Sequence, residues 1–230
     1  MTALAHDDPL AVAVTTEIHT GDVDGLQDLL AVHGGLATAR IVDPQGNGRS
    51  LLHVLTDFPG NFPNGPATAA ALIRAGADIN ARFEGGPHRE TPLHWAASCD
   101  DVAMIYALLD AGADIEADGS VVDGGQGTPL ANAVAFGQWK AARALVERGA
   151  RPNLWQASGL GLMDRVRELA PGGDLDGALW CAAHGGQHEA AEFLLGQGAD
   201  PHRVGYDDLT PAQAAARGGF HALADWLRAR

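Results

Sequence analysis

TPLHWAASCDDVAMIYALLDAGAD, residues Thr91 to Asp114, is the stretch whose reading decides the fold. Thr91 is placed to cap a helix, accepting one of the backbone N–H groups that a first turn leaves unpaired. Pro92 follows at the first helical position, where its missing N–H costs nothing. Leu93, Ala96 and Ala97 recur at helical spacing, and the alanines are small enough for close helix approach. Asp100 and Asp101 then mark a second helix start, because carboxylates favour the positive end of the helix dipole. Val102, Ile105, Tyr106, Leu108 and Leu109 form its apolar stripe. Gly112 closes it in the left-handed conformation that glycine adopts at least cost. Neither short helix can bury its apolar side alone, so the pair requires neighbours of its own kind.

Those neighbours are present along most of the chain. Thr128 opens TPLANAVAFGQWKAARALVERGA, Leu154 opens LWQASGLGLMDRVREL, and Leu179 opens LWCAAHGGQHEAAEFLLGQGAD. Thr210 opens TPAQAAARGGFHALADWL, Ser50 opens SLLHVLTDFPG, and AALIRAGAD (Ala70–Asp78) completes that pair. Gly21–Leu30, GDVDGLQDLL, matches the second helix of the same unit, with Asp22 placed to cap it. The T-P-L-H-x-A-A and G-A-D marks resemble the ankyrin repeat. The resemblance implies an all-α solenoid, here of about seven helix pairs, with β-hairpin or loop fingers and a concave binding face. It also implies that His53 and His94 are structural, bonding adjacent loops. On this reading residues 1–230 are a single, stand-alone repeat domain, with capping pairs at 9–34 and 210–230 and loose residues at 1–8. The turn cluster Asp43–Gly48 is expected to be a first hairpin finger.

The departures from regularity carry the functional expectations. Ser50 to Leu72 spans 22 residues where Thr91 to Leu108 spans 17, so five extra residues fall within Phe58–Pro66, FPGNFPNGP. Three prolines forbid regular helix there. Asn80–Glu90 and Glu116–Gly127 are long fingers. The spacing then contracts to 24 and 25 residues, against about 33 for a full unit, so two fingers should be nearly absent, after Ala150 and after Ala170. A finger returns at Pro201–Leu209. The missing fingers predict a notch.

A row just past the A-A pair supplies candidate partner-binding residues: Asp57, Phe58, Ser98, Cys99, Phe136, His184 and Arg217. Phe83 and Tyr206 on the fingers join them, because aromatic and Arg side chains are the usual anchors. Asp57, Asp100 and Asp123 favour a basic partner. Asn132 and Gln156 are polar in a row that packs between pairs. They are expected either to bond each other or the unfingered backbone near Ala170, or to line a ligand pocket at the notch with Trp155, Trp180 and His184.

The net charge of −14 is lopsided, with 18 acids and five bases in residues 1–126. Nucleic-acid binding, which needs clustered Lys and Arg, is disfavoured. No apolar run approaches a membrane span, and no basic segment precedes an apolar stretch as in a secretory signal. Cys99 and Cys181 stand about three repeats apart, which fits unpaired thiols in a reducing cytoplasm. One lysine beside 14 arginines suggests a GC-rich bacterial genome. Asp114, Glu116 and Asp118 begin like a calcium loop, but the bidentate Glu is missing, with Gly125 in its place. Gly185-Gly186 separates His184 from His188, so no helical metal pair is expected. No cofactor motif and no catalytic constellation stands out. The expectation is a module binding a protein or peptide, with the notch pocket for a small molecule or reaction as the alternative.

Overall fold

The computed structural model describes residues 2–120, 122 and 127–230, so Asp123 lies outside the described residues. The chain divides into two compact units, Met1–Ala150 and Arg151–Arg230.

The first unit holds four helix pairs: α1 (Pro9–Thr20) with α2 (Val23–Val32), α3 (Leu51–Thr56) with α4 (Gly65–Arg74), α5 (Pro92–Ser98) with α6 (Val102–Asp110), and α7 (Pro129–Ala135) with α8 (Trp139–Glu147). The second holds three: α9 (Leu154–Leu160) with α10 (Met163–Leu169), α11 (Leu175–His184) with α12 (His188–Gly196), and α13 (Pro211–Arg217) with α14 (His221–Arg228). Among the described residues the seven expected pairs are therefore present. Within the first unit, first helices stack α1 on α3 on α5 on α7, and second helices stack α2 on α4 on α6 on α8. In the second unit α9, α11 and α13 stack likewise.

Local sequence explains the elements. Asp22 caps α2, accepting from Gly25 N at 2.9 Å, and Asp101 caps α6, accepting from Met104 N at 3.0 Å. Prolines occupy the first turns of α5, α7 and α13. Past α6 the chain turns through Gly112 at φ 96°, a conformation L side chains avoid. Leu51, Leu55, Leu72, Leu93, Met104, Ile105, Leu108, Leu130 and Leu145 are fully buried, each worth about 1.5–3 kcal/mol relative to exposure. Ala96, Ala97 and Ala133, all at 0% exposure, let first helices pack closely. The core of the second unit relies more on alanine, with Leu179, Leu194 and Leu227 among Ala157, Ala182, Ala183, Ala190 and Ala215.

The connections differ as the spacing requires. Between Glu147 and Leu154, and between Leu169 and Leu175, the chain makes no strand. Elsewhere fingers form. β2 (Arg40–Val42) and β3 (Gly48–Ser50) flank the Asp43–Gly48 turn as an antiparallel hairpin. The next finger joins it through Glu84 N to Gly48 O at 3.0 Å. It closes on itself through Phe83 N to Glu90 O at 2.8 Å. One expectation is corrected. Residues 1–8 are not simply loose: β1 (Ala3–Ala5) pairs in parallel with β2, because that strand's outer edge offers unpaired backbone groups. The finger at Pro201–Leu209 is a loop without strands, turning at Tyr206–Asp208 with Asp207 and Asp208 at positive φ.

The expected histidine network is in place. His53 Nε2 meets Glu90 O at 3.0 Å while its Nδ1 meets Ser50 Oγ at 2.7 Å. His94 Nε2 meets Gly127 O at 3.2 Å, and its Nδ1 accepts from Thr91 N at 3.1 Å. A carbonyl can only accept, so in both rings Nε2 carries the proton and donates. Both rings are fully buried, and desolvation pushes their pKa down, to about 3 for His53 and about 4 for His94. They are neutral structural pins, each tying one helix pair to the loop that begins the next.

Candidate functional site

The first unit carries a groove of about 520 Å³. Thr56, Asp57, Phe58 and Pro59 form one margin, where α3 runs into the Phe58–Pro66 insertion. Phe136 and Gln138, past the end of α7, line it as well. Trp95, Ser98 and Cys99 come from α5 and its end, and His88 and Glu90 come from the finger before α5. Phe58 is 84% exposed and Phe136 56% exposed, so both offer apolar surface that the fold does not use.

The insertion is fastened rather than loose. Asn61 N donates to Asp101 Oδ2 at 2.9 Å, and Asn61 Nδ2 to Cys99 O at 3.3 Å. Asn64 Nδ2 reaches back to Gly21 O at 2.9 Å, and Phe62 stacks on His19 with ring centroids 4.3 Å apart. The five extra residues thereby bind the first, second and third pairs together and hold Phe58 at the groove margin.

Glu90 is the group around which the site is built. Its side chain is 9% exposed. Its carbonyl is held by His53, and its carboxylate accepts from Trp95 Nε1 at 2.9 Å and from Asn132 Nδ2 at 2.8 Å. His88 Nδ1 lies 3.6 Å away, stacked through its ring on Phe83 at 5.1 Å. Phe83 in turn lies 5.5 Å from Trp95. Asn132 is fully buried with both polar atoms of its amide engaged: it also donates to Ser98 Oγ at 3.1 Å and accepts from Ser120 Oγ. Asp57 is half-buried and paired with Arg49 at 2.5 Å. The Cys99 thiol is pushed up to about 11 by burial, with Asp57 and Asp101 adding to it.

The sequence-derived candidates separate on this geometry. Asp57, Phe58, Ser98, Cys99 and Phe136 come together at the groove, and Phe83 supports it from behind His88. Asp100 does not face it. That carboxylate accepts from Ala141 N at 2.7 Å, on the first turn of α8, and so joins successive pairs. In the second unit Trp180, His184 and Tyr206 cluster, with centroids 5.2 Å and 6.0 Å from the Trp180 ring, and Arg217 pairs with Asp207 at 2.6 Å. Trp180 Nε1 donates to Leu209 O at 2.9 Å. Gln156 Oε1 accepts from Asn153 N at 3.0 Å while Asn153 Oδ1 accepts from Gln156 N at 2.9 Å, a capping box for α9. Trp155 is half-buried on the same helix. Sequence reading missed His88, Glu90 and Trp95 as site residues. The available signal was a Glu directly before a TPLHW motif, five residues from an indole N–H.

Comparison with known proteins settles the architecture. A family profile for ankyrin repeats (3 copies) matches residues 61–156, and one for ankyrin repeats (many copies) matches residues 179–228. The chain belongs to the ankyrin repeat family. The human ASB11 ankyrin repeat domain superposes with a TM-score of 0.55 at 21% identity, covering 93% of this chain and 96% of that one, a likeness of fold. The ADP-ribosylation factor GTPase-activating protein AGD4 of Arabidopsis thaliana is 34% identical over 77 residues, which are 34% of this chain and 9% of that protein. Mouse Rabankyrin-5 is 35% identical over 94 residues, 37% of this chain and 8% of that protein. The chain thus spans less than a tenth of either relative. Ankyrin repeats are generally protein–protein interaction modules. Among the described residues no helix is long and apolar enough to cross a membrane.

Proposed function

We propose that this ankyrin repeat chain binds a protein or peptide partner in the groove of its first unit, without catalysing a reaction. The observation that carries the reading is the pair of exposed aromatics, Phe58 and Phe136, lining a groove whose other walls are rigidly hydrogen-bonded. A preformed surface loses little conformational entropy on binding, and aromatic anchors supply large contact area. Residues 1–150 hold 19 acidic side chains and eight Lys or Arg, so a basic partner is favoured and its approach electrostatically steered. Cys99 and Cys181 are unpaired thiols, which fits a reducing, cytoplasmic setting.

The alternative, a small-molecule site around Asn132, Trp155, Gln156, Trp180 and His184, has less support. The polar groups of Asn132, Gln156 and Trp180 are already engaged within the fold.

The test is capture from native cell extract, read by mass spectrometry, with the wild-type chain and a Phe58→Ser/Phe136→Ser double variant in parallel. Both side chains are exposed, so the variant should fold. A partner held by the wild type and lost by the variant supports the groove. A partner held equally by both refutes it.

A further inference from the structure

We infer that the groove takes an arginine side chain of the partner, its guanidinium lying against Trp95 and meeting the Glu90 carboxylate. This rests on the groove reading above and names the group recognised there.

The argument begins with the charge at Glu90. A carboxylate taken out of water is costly unless it is paired with a cation or richly hydrogen-bonded. Among the described residues, Glu90 has two neutral donors, Trp95 Nε1 and Asn132 Nδ2, and His88 at 3.6 Å. No arginine or lysine pairs with it among those residues. The neighbouring carboxylates are otherwise engaged: Asp57 with Arg49, Asp101 with the α6 N-terminus and Asn61, Asp100 with Ala141 N. Of the two carboxylates that line the groove among the described residues, Asp57 has a guanidinium partner, and Glu90 is held by neutral donors and an imidazole. Each of its oxygens accepts one bond from those donors, leaving a second lone-pair direction for a donor entering from the groove.

The walls match the same occupant. Trp95, Phe58 and Phe136 present aromatic surface, and a cation is attracted to such faces. Guanidinium suits the place better than ammonium. It is planar, stacks on aromatic rings, sheds water more readily, and offers forked donors to a carboxylate. The fixation of the Glu90 carbonyl by His53 and of its carboxylate by Trp95 and Asn132 means the acceptor is already in position.

The test uses the full chain and five-residue blocked peptides with a central arginine, citrulline, lysine or norleucine flanked by glycines. The readout is the indole 15N–1H resonance of Trp95, whose N–H donates to the Glu90 carboxylate. The arginine peptide should shift it saturably. Citrulline, the neutral isostere, should bind roughly tenfold more weakly, and Glu90→Gln should abolish that preference. Citrulline binding as tightly as arginine, lysine binding as tightly as arginine, or no binding of the arginine peptide at millimolar concentration would each overturn the inference. Should Glu90→Gln fail to fold, the arginine and citrulline titrations of the wild type decide alone. A failed arginine preference beside a partner still lost from the Phe58→Ser/Phe136→Ser variant removes the guanidinium and leaves the groove standing.

Discussion

Acidification from pH 7.5 to 5.0 should cost the fold a definite amount of free energy through two histidines. His53 and His94 are buried and neutral, with pKa values pushed down to about 3 and about 4. In the unfolded chain each titrates near the ordinary value of about 6.5. Below that value the unfolded state binds protons that the folded state refuses. Stability is therefore full above the unfolded pKa and falls as pH drops through 6.5 towards the folded pKa. Integrated between pH 7.5 and 5.0, each ring contributes a loss of about 2 kcal/mol, or about 4 kcal/mol together. That is a large part of the roughly 5–15 kcal/mol by which domains are stable. The assay is urea denaturation of the full chain at both pH values, with His94→Gln beside the wild type. The variant will be less stable at pH 7.5, since Gly127 O loses its donor. Its additional loss on acidification should be about half that of the wild type. Equal acid sensitivity in both chains, or none in the wild type, would refute the assignment of the rings as neutral pins.

Two further outcomes follow from the site. Asn132→Leu keeps the branching of the side chain but removes one bond each from Glu90, Ser98 and Ser120, and should lower the urea-derived stability by about 2–4 kcal/mol, more than a surface Asn→Leu control. Cys99, with its thiol pushed up to about 11, should react with iodoacetamide at pH 8 roughly a hundredfold more slowly than a free cysteine, as measured by mass spectrometry.

The repeat architecture was legible because each unit states itself locally. Thr-Pro starts, alanine pairs and Gly ends need no tertiary knowledge, and spacing alone located the two strandless connections between Glu147 and Leu154 and between Leu169 and Leu175. The groove was half legible. Phe58, Ser98, Cys99 and Phe136 follow from their register on first helices. Glu90 does not, because its role depends on how far one finger folds back over its own helix and on an amide from the next pair. Asp100 misled for a related reason. A polar residue in a repeat row can satisfy a neighbouring helix end instead of a ligand, and which helix end lies within reach is set by stacking, not spacing. Gln156 instead closes a capping box on its own helix, three residues after Asn153. Ala3–Ala5 carries no strand pattern of its own and is a strand only because the β2 edge is there to receive it.

Hydrogen–deuterium exchange of the chain, alone and with its captured partner, tests the groove most directly. Protection on binding is expected in peptides covering residues 56–59, 88–99 and 136–138. Protection confined to residues 151–230, with those three segments unchanged, would contradict it.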